Sequence, residues 1–165
     1  MKKLSMLASV AMLAACQGPM KIEQKPVSAA LKASVSETRL AERTTRLDIR
    51  TYVKIGKTKT EVKGARCIVE SDELKVSVIT PATIIVPRFK QHRDLPKRGV
   101  PSALIATCSL NGKKASGSRT ANAKQVSTAT GAGLAGALLT TAVSAAIATS
   151  SPWQFNGTLP VVFDE

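Results

Sequence analysis

The sequence predicts a mainly β fold: a small disulfide-bridged β-sandwich that follows a flexible tether and ends in a Gly/Ala-rich apolar helix or hairpin and a closing strand. Three observations predict it. Short runs rich in Val, Ile and Thr recur between turn signals from residue 46 to residue 119. Two cysteines, Cys67 and Cys108, fall inside two of those runs. The 165 residues suffice for one domain, and 44% of them are hydrophobic although only five are aromatic (Tyr52, Phe89, Trp153, Phe155, Phe163), so aliphatic side chains must fill the core.

At the N-terminus, Met1-Lys2-Lys3 precedes an apolar stretch from Leu4 to Leu13. A basic start followed by about ten apolar residues is the pattern of an export signal, too short to span a bilayer. Leu13-Ala14-Ala15-Cys16 closes it and resembles the lipobox of bacterial lipoproteins. The resemblance implies cleavage before Cys16, a diacylglyceryl group on its thiol, and stable membrane attachment through acyl chains. The alternative is an ordinary export signal with a chance cysteine near its cleavage site. Gln17, where many enterobacterial lipoproteins retained in the inner membrane carry Asp, points to the outer membrane and its periplasmic face. Residues 1–15 are thus read as the signal peptide.

Residues 16–45 are polar and rich in Ala, Ser and Lys, a composition suited to a tether. Within them Ser34-Val-Ser-Glu37 can open a short helix as a capping box, in competition with a strand. From Leu47 the period becomes two: Leu47, Ile49, Thr51, Val53 and Ile55 share one face, and Asp48, Arg50, Tyr52 and Lys54 the other. This predicts a strand over Arg46–Ile55, stopped by Gly56-Lys57. Further strands are expected at Ala65–Glu70, Leu74–Thr80, Ala82–Val86, Ala103–Leu110 and Lys113–Arg119, and together 46–124 form the sandwich body. Asn111-Gly112 between the last two is the dipeptide of a type I′ hairpin turn. Residues 125–150 form a Gly/Ala-rich apolar segment whose centre, 131–149, covers the sandwich as a helix or hairpin, contacts the membrane, or docks on a partner. Residues 151–165 read as a closing strand, with Asn156-Gly157 as a further turn candidate.

The chemistry-bearing side chains are sparse. With Cys16 taken by lipid, Cys67 and Cys108 are an even pair in an oxidising compartment, expected to form a disulfide that joins two strands. The rival is a redox-active pair, disfavoured because such pairs usually stand as Cys-x-x-Cys at a helix start. Gly131-Ala-Gly133-Leu-Ala-Gly136 fits the dinucleotide fingerprint but lacks its preceding buried strand and its βαβ surroundings. His92 has no metal ligand at suitable spacing, and Asp72-Glu73 are adjacent turn residues pointing apart. No cofactor, metal or catalytic residue is expected, and a non-enzymatic role follows.

Charge is the remaining clue, with 24 Lys+Arg against 11 Asp+Glu. Pro87 to Arg98 reads as a solvated loop whose cations Arg88, Lys90, Arg93, Lys97 and Arg98 form the candidate anion-binding set. Export and the lack of spaced aromatics argue against nucleic acid as the partner. The partners expected are the membrane through the N-terminal lipid, and an envelope protein, lipopolysaccharide or peptidoglycan.

From Cys67 to Phe163 the chain resembles small proteobacterial lipoproteins of unassigned activity. The likeness rests on Cys67-Ile68-Val69, Val78-Ile-Thr-Pro-Ala-Thr-Ile-Ile-Val86, Ala106-Thr-Cys108 with its following turn, the Gly-rich apolar stretch and the closing aromatic/Pro strand. The Thr-Pro-Ala piece is similar to PEGA-like β-sandwich modules of envelope proteins. The longer, more basic segment Gln91–Gly99 and the Ala-rich apolar stretch depart from that outline. The resemblance implies a disulfide-bridged β module on a lipid anchor. A structural or adaptor role is the leading expectation, and an anion-binding module working through the basic loop is the alternative.

Overall fold

A computed structural model describes residues 18–92, 94–123 and 151–164. Its spine is a 16-residue strand, β3 (Leu40–Ile55). The remaining strands are β1 (Val27–Ser28), β2 (Ala30–Leu31), β4 (Thr58–Val62), β5 (Arg66–Glu70), β6 (Leu74–Ile79), β7 (Ala82–Phe89), β8 (Leu104–Leu110), β9 (Lys113–Arg119) and β10 (Gly157–Asp164). They form two five-stranded sheets. One has the order β1-β7-β3-β10, with β4 pairing β3 beyond the end of its ladder with β7; the other has the order β2-β6-β5-β8-β9.

The core follows from period-two alternation, which sends every second side chain to the inner face. Leu47 and Ile49 of β3, Ile84 and Val86 of β7, and Leu159 and Val161 of β10 meet Val69, Leu74, Leu104 and Ala106 of the second sheet, all at 0% exposure. Cys67 and Cys108 stand directly opposite each other on β5 and β8 and are joined by a disulfide, with their Cα atoms 4.0 Å apart. The bond thus lies on the inner face of the second sheet as a strand-to-strand clamp, and the Cys-x-x-Cys geometry of a redox pair is not present. Inside the same core Thr51 finds partners for its hydroxyl in the Val62 carbonyl (2.8 Å) and Thr80 Oγ1 (2.6 Å), so burying it leaves no orphaned group. The Asn111-Gly112 turn has φ of 50° and 79°, the positive values a type I′ corner requires.

Several expectations need correction. The stretch 16–45, read as a tether, carries β1, β2 and the first six residues of β3 in its described part. The chain from 27 to 31 crosses from one sheet to the other: β1 pairs in parallel with β7 and β2 antiparallel with β6, which straps the open side of the sandwich. These pairings use backbone groups, so a polar composition does not forbid them. The helix expected from Ser34 is a single 3-10 turn at Glu37–Arg39, with no side-chain cap on Ser36. Strand β3 starts at Leu40 rather than Arg46, and Gly56-Lys57 is a hairpin corner instead of a stop: polar Thr58-Lys-Thr-Glu-Val62 returns as β4. Pro87, Arg88 and Phe89 continue β7 and do not open a loop. The closing strand is β10, which pairs in parallel with β3 from Gly157 opposite Leu47 to Asp164 opposite Lys54. Asn156-Gly157 therefore leads into a strand rather than turning a hairpin. The body bounded at 46–124 thus takes strands from both sides of that interval. The Gly/Ala-rich segment 125–150, expected as a helix or hairpin, lies outside the described residues.

Candidate functional site

The two ends of β3 organise the molecule's charge. At its start, Leu40 pairs with Phe89, the last residue of β7, and Phe89 in turn bridges Trp153. Phe89 and Phe155, two residues beyond Trp153, are fully buried. The Arg39 guanidinium lies 5.9 Å from the Phe89 ring centroid, within cation–π range. The connection from β7 to β8 leaves from this aromatic plug.

That connection contains an uncommon turn. Lys97 (φ 49°, ψ 29°), Arg98 (φ 55°, ψ 30°) and Gly99 (φ 67°) are three successive residues in the left-handed region. For the two residues with a Cβ this conformation costs roughly 1–2 kcal/mol each, so the surroundings must hold it. The holding groups are identifiable. The Arg98 carbonyl accepts from the His92 backbone N–H (3.2 Å) and from Trp153 Nε1 (3.1 Å). Arg39 Nη2 donates to the Gly99 carbonyl (3.2 Å), and the backbone N–H of Arg98 to Leu95 (2.9 Å). Gln91 donates its side-chain amide to the Ser151 carbonyl. On the far side, Ser102 is tied to the β5–β6 turn: its N–H donates to Glu73 Oε1 (3.0 Å) and its hydroxyl to Asp72 Oδ2. Asp72 and Glu73, expected to point apart, converge on Ser102 because the Ser71 hydroxyl also donates to Glu73 Oε2 (2.9 Å) and folds the turn back on itself.

The predicted basic set is accordingly dispersed over one end of the fold. Lys97 and Arg98 share the left-handed turn and are exposed. Lys90 is exposed, and its N–H donates to the Arg39 carbonyl (2.8 Å), which brings Arg39 to the same end. Arg88 is half-buried in β7, with its Nε lacking a hydrogen-bond partner, as does Nε2 of His92. Arg93 and Cys16 lie outside the described residues. Sequence reasoning missed Arg39 and Trp153 as the turn's supports, since each acts across more than 50 residues of chain. Among the described residues no group of three or more potential metal ligands converges.

A second charged constellation stands on the outer face of the first sheet. Arg50 Nη1 contacts Glu61 Oε1 at 2.7 Å and donates to the Met20 carbonyl at 2.9 Å, while Nη2 lies 3.5 Å from Asp48. The Met20 N–H donates to Glu61 Oε2 (2.8 Å). Burial alone would pull the Arg50 guanidinium down, but the hydrogen bond and charge of Glu61, reinforced by Asp48, hold it above its ordinary value. Desolvation, with Glu61 adding to it, pushes the Tyr52 phenol above its usual value against a smaller opposing pull from Arg50. Together these contacts pin the start of the described chain to the sheet, with Gly18 and Pro19 beside Tyr52, Lys59 and Thr60.

Compared with known protein families, curated proteins and solved structures, the chain matches none.

Proposed function

We propose that this protein is a lipid-anchored, periplasm-facing lipoprotein of the outer membrane with a structural or adaptor role in the cell envelope. What carries the reading is the separation of its two ends. Gly18, the first described residue, lines a cleft with Lys59 of β4 and stands two residues after the cysteine of the lipobox-like sequence. The left-handed basic turn sits at the other end of β3, beyond the Leu40–Phe89 pair. The fifteen steps from Leu40 to Ile55, at about 3.3 Å each, span at most roughly 50 Å, shortened by the irregularity between Leu40 and Thr44, and set the two features at opposite ends of the longest strand. A body acylated at Cys16 would hold one end at the membrane and present the other to whatever lies across the periplasmic space. Rigid presentation of one end of the body to a partner is what an adaptor requires.

A second reading makes the distal turn an anion-binding site for lipopolysaccharide, anionic lipid or peptidoglycan. The observation that favours it is backbone strain held at an exposed Lys97-Arg98 pair, because such strain concentrates at functional sites. Crosslinking in intact envelopes separates the two, with a Lys90→Ser/Lys97→Ser/Arg98→Ser variant in parallel. The adaptor reading expects a stoichiometric protein partner that survives added salt and is retained by the variant. Recovery of lipopolysaccharide or peptidoglycan alone, lost at high salt and absent from the variant, would overturn it in favour of the second reading.

A further inference from the structure

Besides the cations of 88–98, the sequence is basic from Arg39 to Arg66, with nine cations against three acids, and part of that run lies at the end of the fold at which the described chain begins. That end is built from two hairpin tips. One is the β3–β4 corner, where Lys54 pairs with Lys59 and Ile55 with Thr58 around Gly56-Lys57. The other is the β8–β9 corner, where Leu110 pairs with Lys113 and Ser109 with Lys114. Strand β9 runs opposite to β10: a Cβ on Gly157 would lie 3.2 Å from the Arg119 guanidinium, and one on Gly117 would lie 2.3 Å from the Pro160 carbonyl oxygen. Lys113 and Lys114 therefore come level with the last residues of β10, whose Asp164 is in register with Lys54.

Lys54, Lys57, Lys59, Lys113 and Lys114 are all exposed, and none is in an ion pair with a described carboxylate. Among the described residues the opposing charge at this end is Asp164, because Glu61 is engaged by Arg50 and Met20. Between the lysines of the first tip stands Ile55, 56% exposed beyond the rim of the core. An apolar side chain at a lysine-rich hairpin tip, on the face opposite Lys54 and Lys59, suits the boundary between headgroups and acyl chains. The start of the described chain leads to the same place, since Gly18 and Pro19 line one cleft with Lys59 and Thr60. Residue 16 can stand no more than about 7 Å from residue 18 along the chain.

We infer that the lysine-rich end of the sandwich is a docking surface for a bilayer leaflet containing anionic lipid, with Lys54, Lys57 and Lys59 on the phosphates and Ile55 inserted among the headgroups. The orientation rests on the reading of Cys16 as the anchor. Surface and anchor act together: one acyl attachment and one basic patch are two signals, which fix the body against the membrane instead of leaving it swinging on a tether.

Vesicle co-sedimentation of the chain from residue 16 onward, with Cys16→Ser so that no acyl group contributes, tests the surface by itself. Vesicles of phosphatidylethanolamine with 30 mol% phosphatidylglycerol, a composition chosen as roughly that of an anionic bacterial leaflet, are compared with phosphatidylcholine alone. Binding is expected only to the anionic vesicles and is expected to fall as salt rises. Lys54→Ser/Lys57→Ser/Lys59→Ser should weaken it by at least tenfold, up to on the order of a hundredfold, and Ile55→Ser by a smaller factor. Lys97→Ser/Arg98→Ser, at the far end, should bind like the parent. No preference for anionic vesicles, undiminished binding by the triple variant, or loss in the Lys97→Ser/Arg98→Ser variant would overturn the inference. A wild-type protein that carries no lipid in cells but passes this test would refute the anchor and leave the surface standing. A lipidated protein that fails it would do the reverse.

Discussion

Phe89→Ala should cost about 3–5 kcal/mol of stability, the usual range for emptying a fully buried phenylalanine site. Phe89 has no exposed surface, closes the Leu40 end of β3, and joins Trp153 through paired backbone bonds of 2.8 and 3.0 Å. The loss therefore combines a cavity with a loosened junction. Urea unfolding should show a lower midpoint at an unchanged slope. The effect should extend to the left-handed turn, because Arg39 lies over the ring while holding Gly99, and Trp153 holds Arg98. Amide exchange at residues 97–100 should accelerate well before global unfolding does. A loss under about 1 kcal/mol, with exchange unaltered, would mean that the aromatic plug does not support the turn.

Removing the disulfide as Cys67→Ala/Cys108→Ala should cost about 4 kcal/mol, the chain-entropy estimate for a bridge that closes a loop of this length. The two cysteines are 41 residues apart and are 2% and 1% exposed. Because both sulfurs sit on the inner face, the double alanine also leaves an underfilled patch near Val69 and Ala106, so the measured loss should not fall below the entropic figure. Against a total stability of about 5–15 kcal/mol, this is enough to bring the domain close to unfolding at growth temperature. Reductant should lower the midpoint of the wild type by a similar amount and leave the variant unmoved. Two free thiols in the oxidised, folded wild type would refute the clamp.

The second sheet was largely legible in the sequence because its three central strands alternate cleanly: Cys67 and Val69, then Leu74, Val76 and Val78, then Leu104, Ala106 and Cys108, all turned inward. The turn between β8 and β9 was legible from Asn111-Gly112 alone. The first sheet was less so. Strand β4 is Thr-Lys-Thr-Glu-Val, with no buried residue to mark a period. Strands β1 and β2 are two residues each and exist through backbone pairing, which leaves no side-chain signal. The parallel pairing of β10 with β3 joins residues more than a hundred positions apart.

The candidate site shows the same division. That 88–98 is basic could be read directly, whereas the separation of Arg88, in a strand, from Lys97 and Arg98, in a left-handed turn, depends on Arg39 and Trp153 reaching it from elsewhere. The five lysines of the opposite end are likewise plain in the sequence. Their gathering is not, because it follows from the way β9 runs against β10.

Both proposals about orientation depend on where the chain is attached, and intact mass spectrometry of the protein extracted from the membrane fraction of its native cells measures that directly. The account predicts a chain that begins at Cys16 and carries the added mass of a diacylglyceryl group and any further acyl chain. An unmodified Cys16, or a mature chain that begins at another residue, would contradict it.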